Sequence, residues 1–171
     1  MHYGRAVGVV VLSLALCVTG IAGGGGVVSA QTGTGSIPIN SCRTIADDGR
    51  YVLTTDIENS SRNVCIQILS SDVVFDGQGH TIEGANATES VGIKVNNSLT
   101  TLSNVTVTNV STTGWTAGVF YLDVNNASLK NVNASANDRH GILLRAANDI
   151  RLTNVTAVGN GRWSLYAIGN T

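Results

Sequence analysis

The stretch HGILLRAANDIRLTNVTAVGN (His140–Asn160) decides the fold. It contains three short strand-like pieces, GILL, DIRL and NVTAV, the first two separated by RAAN and the last two by a single threonine. Apolar and polar residues alternate within them, as in Ile150, Arg151, Leu152 and again in Ile93, Lys94, Val95. Thr, Val, Ile and Asn dominate, and no ten-residue window shows helical periodicity with caps. A single proline leaves long parallel ladders unobstructed.

The same pattern recurs along the chain. CIQI (Cys65), GIKV (Gly92), GVFY (Gly118), GILL (Gly141) and SLYA (Ser164) begin 27, 26, 23 and 23 residues apart. A second column, Phe75, Leu102, Leu129 and Leu152, is spaced by 27, 27 and 23. LSNVT, LKNVN and LTNVT place Asn104, Asn131 and Asn154 in a third, and Asn137 and Asn160 form a fourth. One such unit cannot close a core, but stacked units can, pairing backbone with backbone at about 4.8 Å. Ile93, Val119, Ile142 and Leu165 then form one inward stack, and Val95, Tyr121, Leu144 and Ala167 its neighbour. The expected fold is all-β: a right-handed parallel β-helix with three strands per coil and about four to five coils. YVLTTDI (Tyr51–Ile57) supplies an earlier strand or cap. A β-sandwich does not explain a fixed period, and a leucine-rich horseshoe needs a leucine-dense consensus that is missing. No capping helix or polar lid follows the last strand, so a C-terminal truncation is expected.

Residues 1–30 read as a signal peptide. Ala6–Ala22 is apolar, and Val28-Ser29-Ala30 offers a cleavage site after Ala30. If uncleaved, this leader is the only membrane contact the sequence offers. Residues 31–41 read as a flexible linker and 42–171 as the β-helix domain. Export to the cell surface or medium follows, and Cys42 and Cys65 can pair there; two unpaired buried thiols are the alternative. The formal net charge is −1 and 12% of residues are charged, which makes nucleic acid an unsuitable partner. No cofactor is implied, and two cysteines without a histidine cluster make no metal site.

DGQGHTIEG (Asp76–Gly84) looks at first like a phosphate loop. No helix start with Lys-Ser or Lys-Thr follows it, so it reads as a corner of the first coil. This corner is placed opposite Asn104, and HTIEG opposite VTVTN.

The opening segment, with Cys42, Gly49-Arg50-Tyr51, Asp56-Ile57, Cys65-Ile66, Ser71-Asp72-Val73 and Asp76-Gly77 through Gly84, resembles the NosD-like family of parallel β-helix repeat proteins, secreted and surface proteins of archaeal type. The GI…NVT coils extend the likeness over residues 42–171. It implies a right-handed β-helix, export and a modular surface setting. It does not imply one activity. Its name-giving members are accessories of a copper enzyme, yet this chain has one methionine and no close cysteine–histidine group.

Polysaccharide lyases and hydrolases of the pectate-lyase type also use this fold, with outward carboxylates close together. Asp76, Glu83, Asp123, Asp138 and Arg145 are the candidates, and they do not stack. His80 and His140 fall in different columns and read as structural, hydrogen-bonded histidines, His80 with its ring inward. The preferred reading is a non-catalytic secreted module with a rigid face for a polysaccharide, a surface glycan or another surface protein. A lyase or hydrolase fragment and a copper-enzyme accessory are the alternatives. The expected ligand surface is Lys94, Trp115, Phe120, Arg145 and Tyr166, with Trp115 bulging outward from a longer coil. Eight sequons occur, at Asn59, Asn86, Asn96, Asn104, Asn109, Asn126, Asn133 and Asn154. Asn59, Asn86 and Asn126 are the expected glycosylation sites, while Asn104 and Asn154 are expected to point inward.

Overall fold

The computed structural model describes residues 35–169. The leader, its cleavage site and the first residues of the expected linker lie outside them. Every element is a β-strand and every pairing is parallel. The chain winds as a parallel β-helix of about five turns. Its first strand is β1 (Ile37–Ile39), which pairs with β3 (Gly49–Leu53). Part of the segment expected as linker is therefore ordered sheet, because Ile39 buries itself on the first coil.

One face of the solenoid stacks β2 (Arg43–Ile45), β5 (Val64–Ile68), β8 (Val91–Val95), the start of β11 (Ala117–Ala134), the start of β12 (His140–Thr156) and β13 (Trp163–Ile168). Its register places Ile66, Ile93, Val119, Ile142 and Leu165 in one column, and Ile68, Val95, Tyr121, Leu144 and Ala167 in the next. These are the expected inward stacks. Leu165, on the last described level, is 44% exposed; the members below it are buried. A second face continues from β3 through β6 (Val73–Asp76) to β10 (Thr106–Thr113) and then to the middles of β11 and β12. The third carries β4 (Ile57–Ser60) and β7 (Thr81–Gly84), followed by the ends of β10, β11 and β12. The two-residue β9 (Leu102–Ser103) pairs with Val124 and Asn125.

In the last coils the three expected short strands fuse, so that β11 runs for 18 residues and β12 for 17. Single left-handed residues turn each corner without breaking the ladder. Asp123, Asn126 and Asn131 do so in β11, and Ala146, Asp149 and Asn154 lie at the matching places in β12. Seven of the fourteen non-glycine residues with positive φ are asparagine, the residue best suited to that conformation.

Two expected alignments are corrected. Val107, not Leu102, stacks between Phe75 and Leu129, while Leu102 stacks on Val124. Thr81–Glu83 of the HTIEG segment pair with Ser111–Thr113, and Asp76 with Thr108. The run before Leu102 lengthens that coil, so the LSNVT motif sits one corner early. Gly77–His80 forms a turn, with the His80 amide donating to the Gly77 carbonyl at 2.8 Å. A β-carbon at Gly77 would lie 2.5 Å from that of Val110, which is why the corner needs glycine there.

Cys42 and Cys65 form a disulfide across 23 residues, closing the first turn. A loop of that length constrains the unfolded chain by roughly 3 kcal/mol.

Candidate functional site

The solvent side of the first face carries the candidate site. Lys94, Phe120, Leu143 and Tyr166 are register partners on successive coils and share one half-buried outward column. The Lys94 ammonium lies 5.7 Å from the Phe120 ring centre. Three residues earlier runs a parallel column, Val64, Val91, Ala117, His140 and Trp163. His140 stacks on Trp163 with ring centres 5.3 Å apart and planes 7° apart, and on Tyr166 at 5.7 Å. Trp163 stacks in turn on Tyr166 at 4.4 Å, and the Arg162 guanidinium sits 4.0 Å from the Trp163 ring centre. The two columns meet in a groove of about 640 Å³. Its floor is Phe120, Leu143 and Tyr166, and Arg139, His140 and Arg145 stand around it with Glu89.

Four of the five expected ligand-surface residues thus come together: Lys94, Phe120, Arg145 and Tyr166. Trp115 does not. It is 0% exposed, and its indole N–H donates to the Ile82 carbonyl at 3.0 Å. Glycines make the room: β-carbons built at Gly84 and Gly92 would meet the indole at 2.7 and 3.1 Å. The extra residues of that coil hold the ring in the core instead of bulging out.

Sequence reading missed His140, Trp163, Arg139 and Arg162 as members of this face. The His140–Trp163 register was visible in the repeat, but not that both rings stack on the outward Tyr166. His140 is 8% exposed and its Nδ1 has no hydrogen-bond partner, contrary to the expectation of a bonded structural histidine. Burial lowers its pKa below the ordinary 6.5, and the cations Arg139 and Arg162 lower it further. Burial among cations thus favours the neutral ring at this site.

The acidic residues occupy other places. His80 points outward, where its Nδ1 lies 2.9 Å from the Asp56 carboxylate on the neighbouring coil; this corrects the inward expectation. The Thr81 amide, and then the His80 ring, hold the Asp56 pKa below its ordinary value. Asp76 is buried and accepts hydrogen bonds from Arg50, the Gln78 amide and side chain, and Asn109. Asp123 accepts from Thr101 at 2.8 Å. No group of three His, Cys, Asp or Glu able to hold a metal ion occurs among the described residues.

Asn59, Asn86 and Asn126 are exposed at left-handed corners, and their amides make no side-chain hydrogen bond. Asn104 and Asn154 are exposed too, which corrects the inward expectation: the corner turns their column outward. Their amides are engaged, Asn104 donating to Asp72 at 2.6 Å and Asn154 to Asn131 at 2.9 Å. Asn131 passes the ladder on to Asn109, which donates to Asp76. The inward ladder is that of Asn137 and Asn160, joined at 3.1 Å. Comparison of the chain with protein-family models, with curated proteins and with solved structures gives no match, so the geometry alone carries the functional reading.

Proposed function

We propose that the protein is a non-catalytic, exported β-helix module that holds a carbohydrate chain along the Phe120–Leu143–Tyr166 strip. The observation that carries this reading is the groove itself, with an apolar, partly aromatic floor between outward cations and a rigid ladder beneath it. Sugar rings present apolar C–H faces that pack on such a floor, and their hydroxyls meet the polar rim. A parallel ladder fixes the spacing of the floor residues before the ligand arrives, which limits the ordering cost of binding. The NosD-like resemblance and the Cys42–Cys65 bridge support export.

Titrating the chain against a panel of immobilised polysaccharides tests this reading. Retention without any shortening of the glycan is expected, and Tyr166→Ala or Phe120→Ala should weaken it about tenfold. Turnover of the glycan, or binding indifferent to both variants, would overturn it.

Glycosylation, where the host provides it, belongs at Asn59, Asn86 and Asn126. A transferase needs a free side-chain amide: Asn104, Asn109 and Asn154 donate their nitrogen to a neighbour, and Asn96 and Asn133 are held through their oxygen by Gln67 and Ser135, whereas Asn59, Asn86 and Asn126 make no side-chain hydrogen bond. Peptide mapping of the exported protein should find occupancy concentrated on the first three. High occupancy of Asn154 would contradict the assignment.

A further inference from the structure

We infer that the strip is selective for acidic sugars, and that its ligand is a chain of uronate residues whose carboxylates lie against Arg139, Arg145 and Arg162. This inference rests on the carbohydrate-binding reading above and adds the substrate class. The three guanidinium groups surround one aromatic cluster. Arg139 and Arg145 line the groove, while Arg162 covers the Trp163 ring. Arg139 and Arg162 are successive members of one column: the amides of Arg162 and Trp163 both donate to the Arg139 carbonyl, at 2.8 and 3.0 Å. Two cations one coil apart repel each other unless an anion lies between them.

No carboxylate of the described residues pairs with them there. Among the described residues the ion pairs are Arg50–Asp76 and His80–Asp56, both away from this face. Glu89 reaches the groove and Asp138 precedes Arg139, yet neither pairs with an arginine there. The face is therefore locally cationic on a chain whose formal net charge is −1.

A planar guanidinium fork matches a carboxylate in bidentate fashion. The sugar ring that bears the carboxylate would rest on Phe120, Leu143 or Tyr166. Nucleic acid fits less well. The Trp163 ring is already stacked on Tyr166 and His140 and capped by Arg162, and Leu143 separates Phe120 from Tyr166, so the strip offers no run of adjacent aromatic faces for successive bases.

The test uses the full chain, titrated with alginate oligomers, with the same oligomers after carboxyl reduction, and with a single-stranded oligonucleotide. Binding to alginate is expected, falling about tenfold or more on carboxyl reduction and weakening steeply with salt. Arg139→Gln, Arg145→Gln and Arg162→Gln should each cost roughly five- to tenfold and flatten the salt dependence. Arg151→Gln, whose residue lines a different concavity beside Asn126 and Asp149, should change nothing. Equal binding of native and reduced oligomers, still lost in Phe120→Ala, would overturn the acidic preference while leaving carbohydrate binding intact. Failure to bind either oligomer or any polysaccharide of the panel would overturn both readings. Tighter binding of the oligonucleotide would overturn the sugar assignment.

Discussion

Trp115→Ala is expected to destabilise the protein by about 3–5 kcal/mol, measured as a fall in the urea midpoint without a change of slope. The indole is fully buried and packs where Gly84 and Gly92 leave space for nothing else. Removing it opens a cavity that cannot collapse, because its walls are backbone held by ladder bonds on both sides. The Ile82 carbonyl also loses the indole donor. Fluorescence offers a built-in control, since the chain has two tryptophans and the other, Trp163, is 37% exposed. Loss of the blue-shifted, quencher-protected component in Trp115→Ala is the expected signature. A variant as stable as the parent would show that the ring is not in the core.

Asp76→Ala is expected to cost about 3 kcal/mol at neutral pH, because it strands several partners of a buried carboxylate at once. Burial is the largest single influence on Asp76 and raises its pKa. The Gln78 amide, Asn109, Arg50 and the Gln78 side chain together outweigh it and hold the pKa below the ordinary 3.8. A carboxylate with a depressed folded pKa contributes stability that is full above its unfolded value and is lost as pH falls through the folded one. The deficit of Asp76→Ala should therefore be constant from neutral pH down to about pH 4 and shrink below that. Unfolding curves recorded across that range check it; a deficit that widens on acidification would contradict the assignment.

These two sites show what the sequence could and could not convey. The stack of Ile93, Val119 and Ile142 was readable because the spacing between their strands is nearly constant and their neighbours alternate. Leu102 was misplaced because LSNVT imitates LKNVN, and nothing local distinguishes a motif at its own corner from one a corner early. Parity failed for Asn104 and Asn154 for a related reason. A left-handed residue such as Asn126 or Asn131 resets which way the next side chain points, so alternation cannot be counted through a corner. Trp115 was misread because its space is created by glycines on neighbouring coils, Gly84 and Gly92, which only the register brings to it. Of the proposed binding face, Lys94, Phe120, Arg145 and Tyr166 followed from the repeat. His140 and Trp163 needed the three-dimensional stacking of their rings.

The Cys42–Cys65 bridge gives the solenoid a direction. Each winding of such a stack touches only its neighbours, so local opening differs from one winding to the next. The covalent clasp holds the first two described windings together, whereas Leu152 and Leu165 on the last described ones are only partly covered. Among the described residues the amides of β13 are therefore expected to exchange their hydrogens before those of β5. A polymer lying across Phe120, Leu143 and Tyr166 would bridge three successive windings and slow the exchange of their amides.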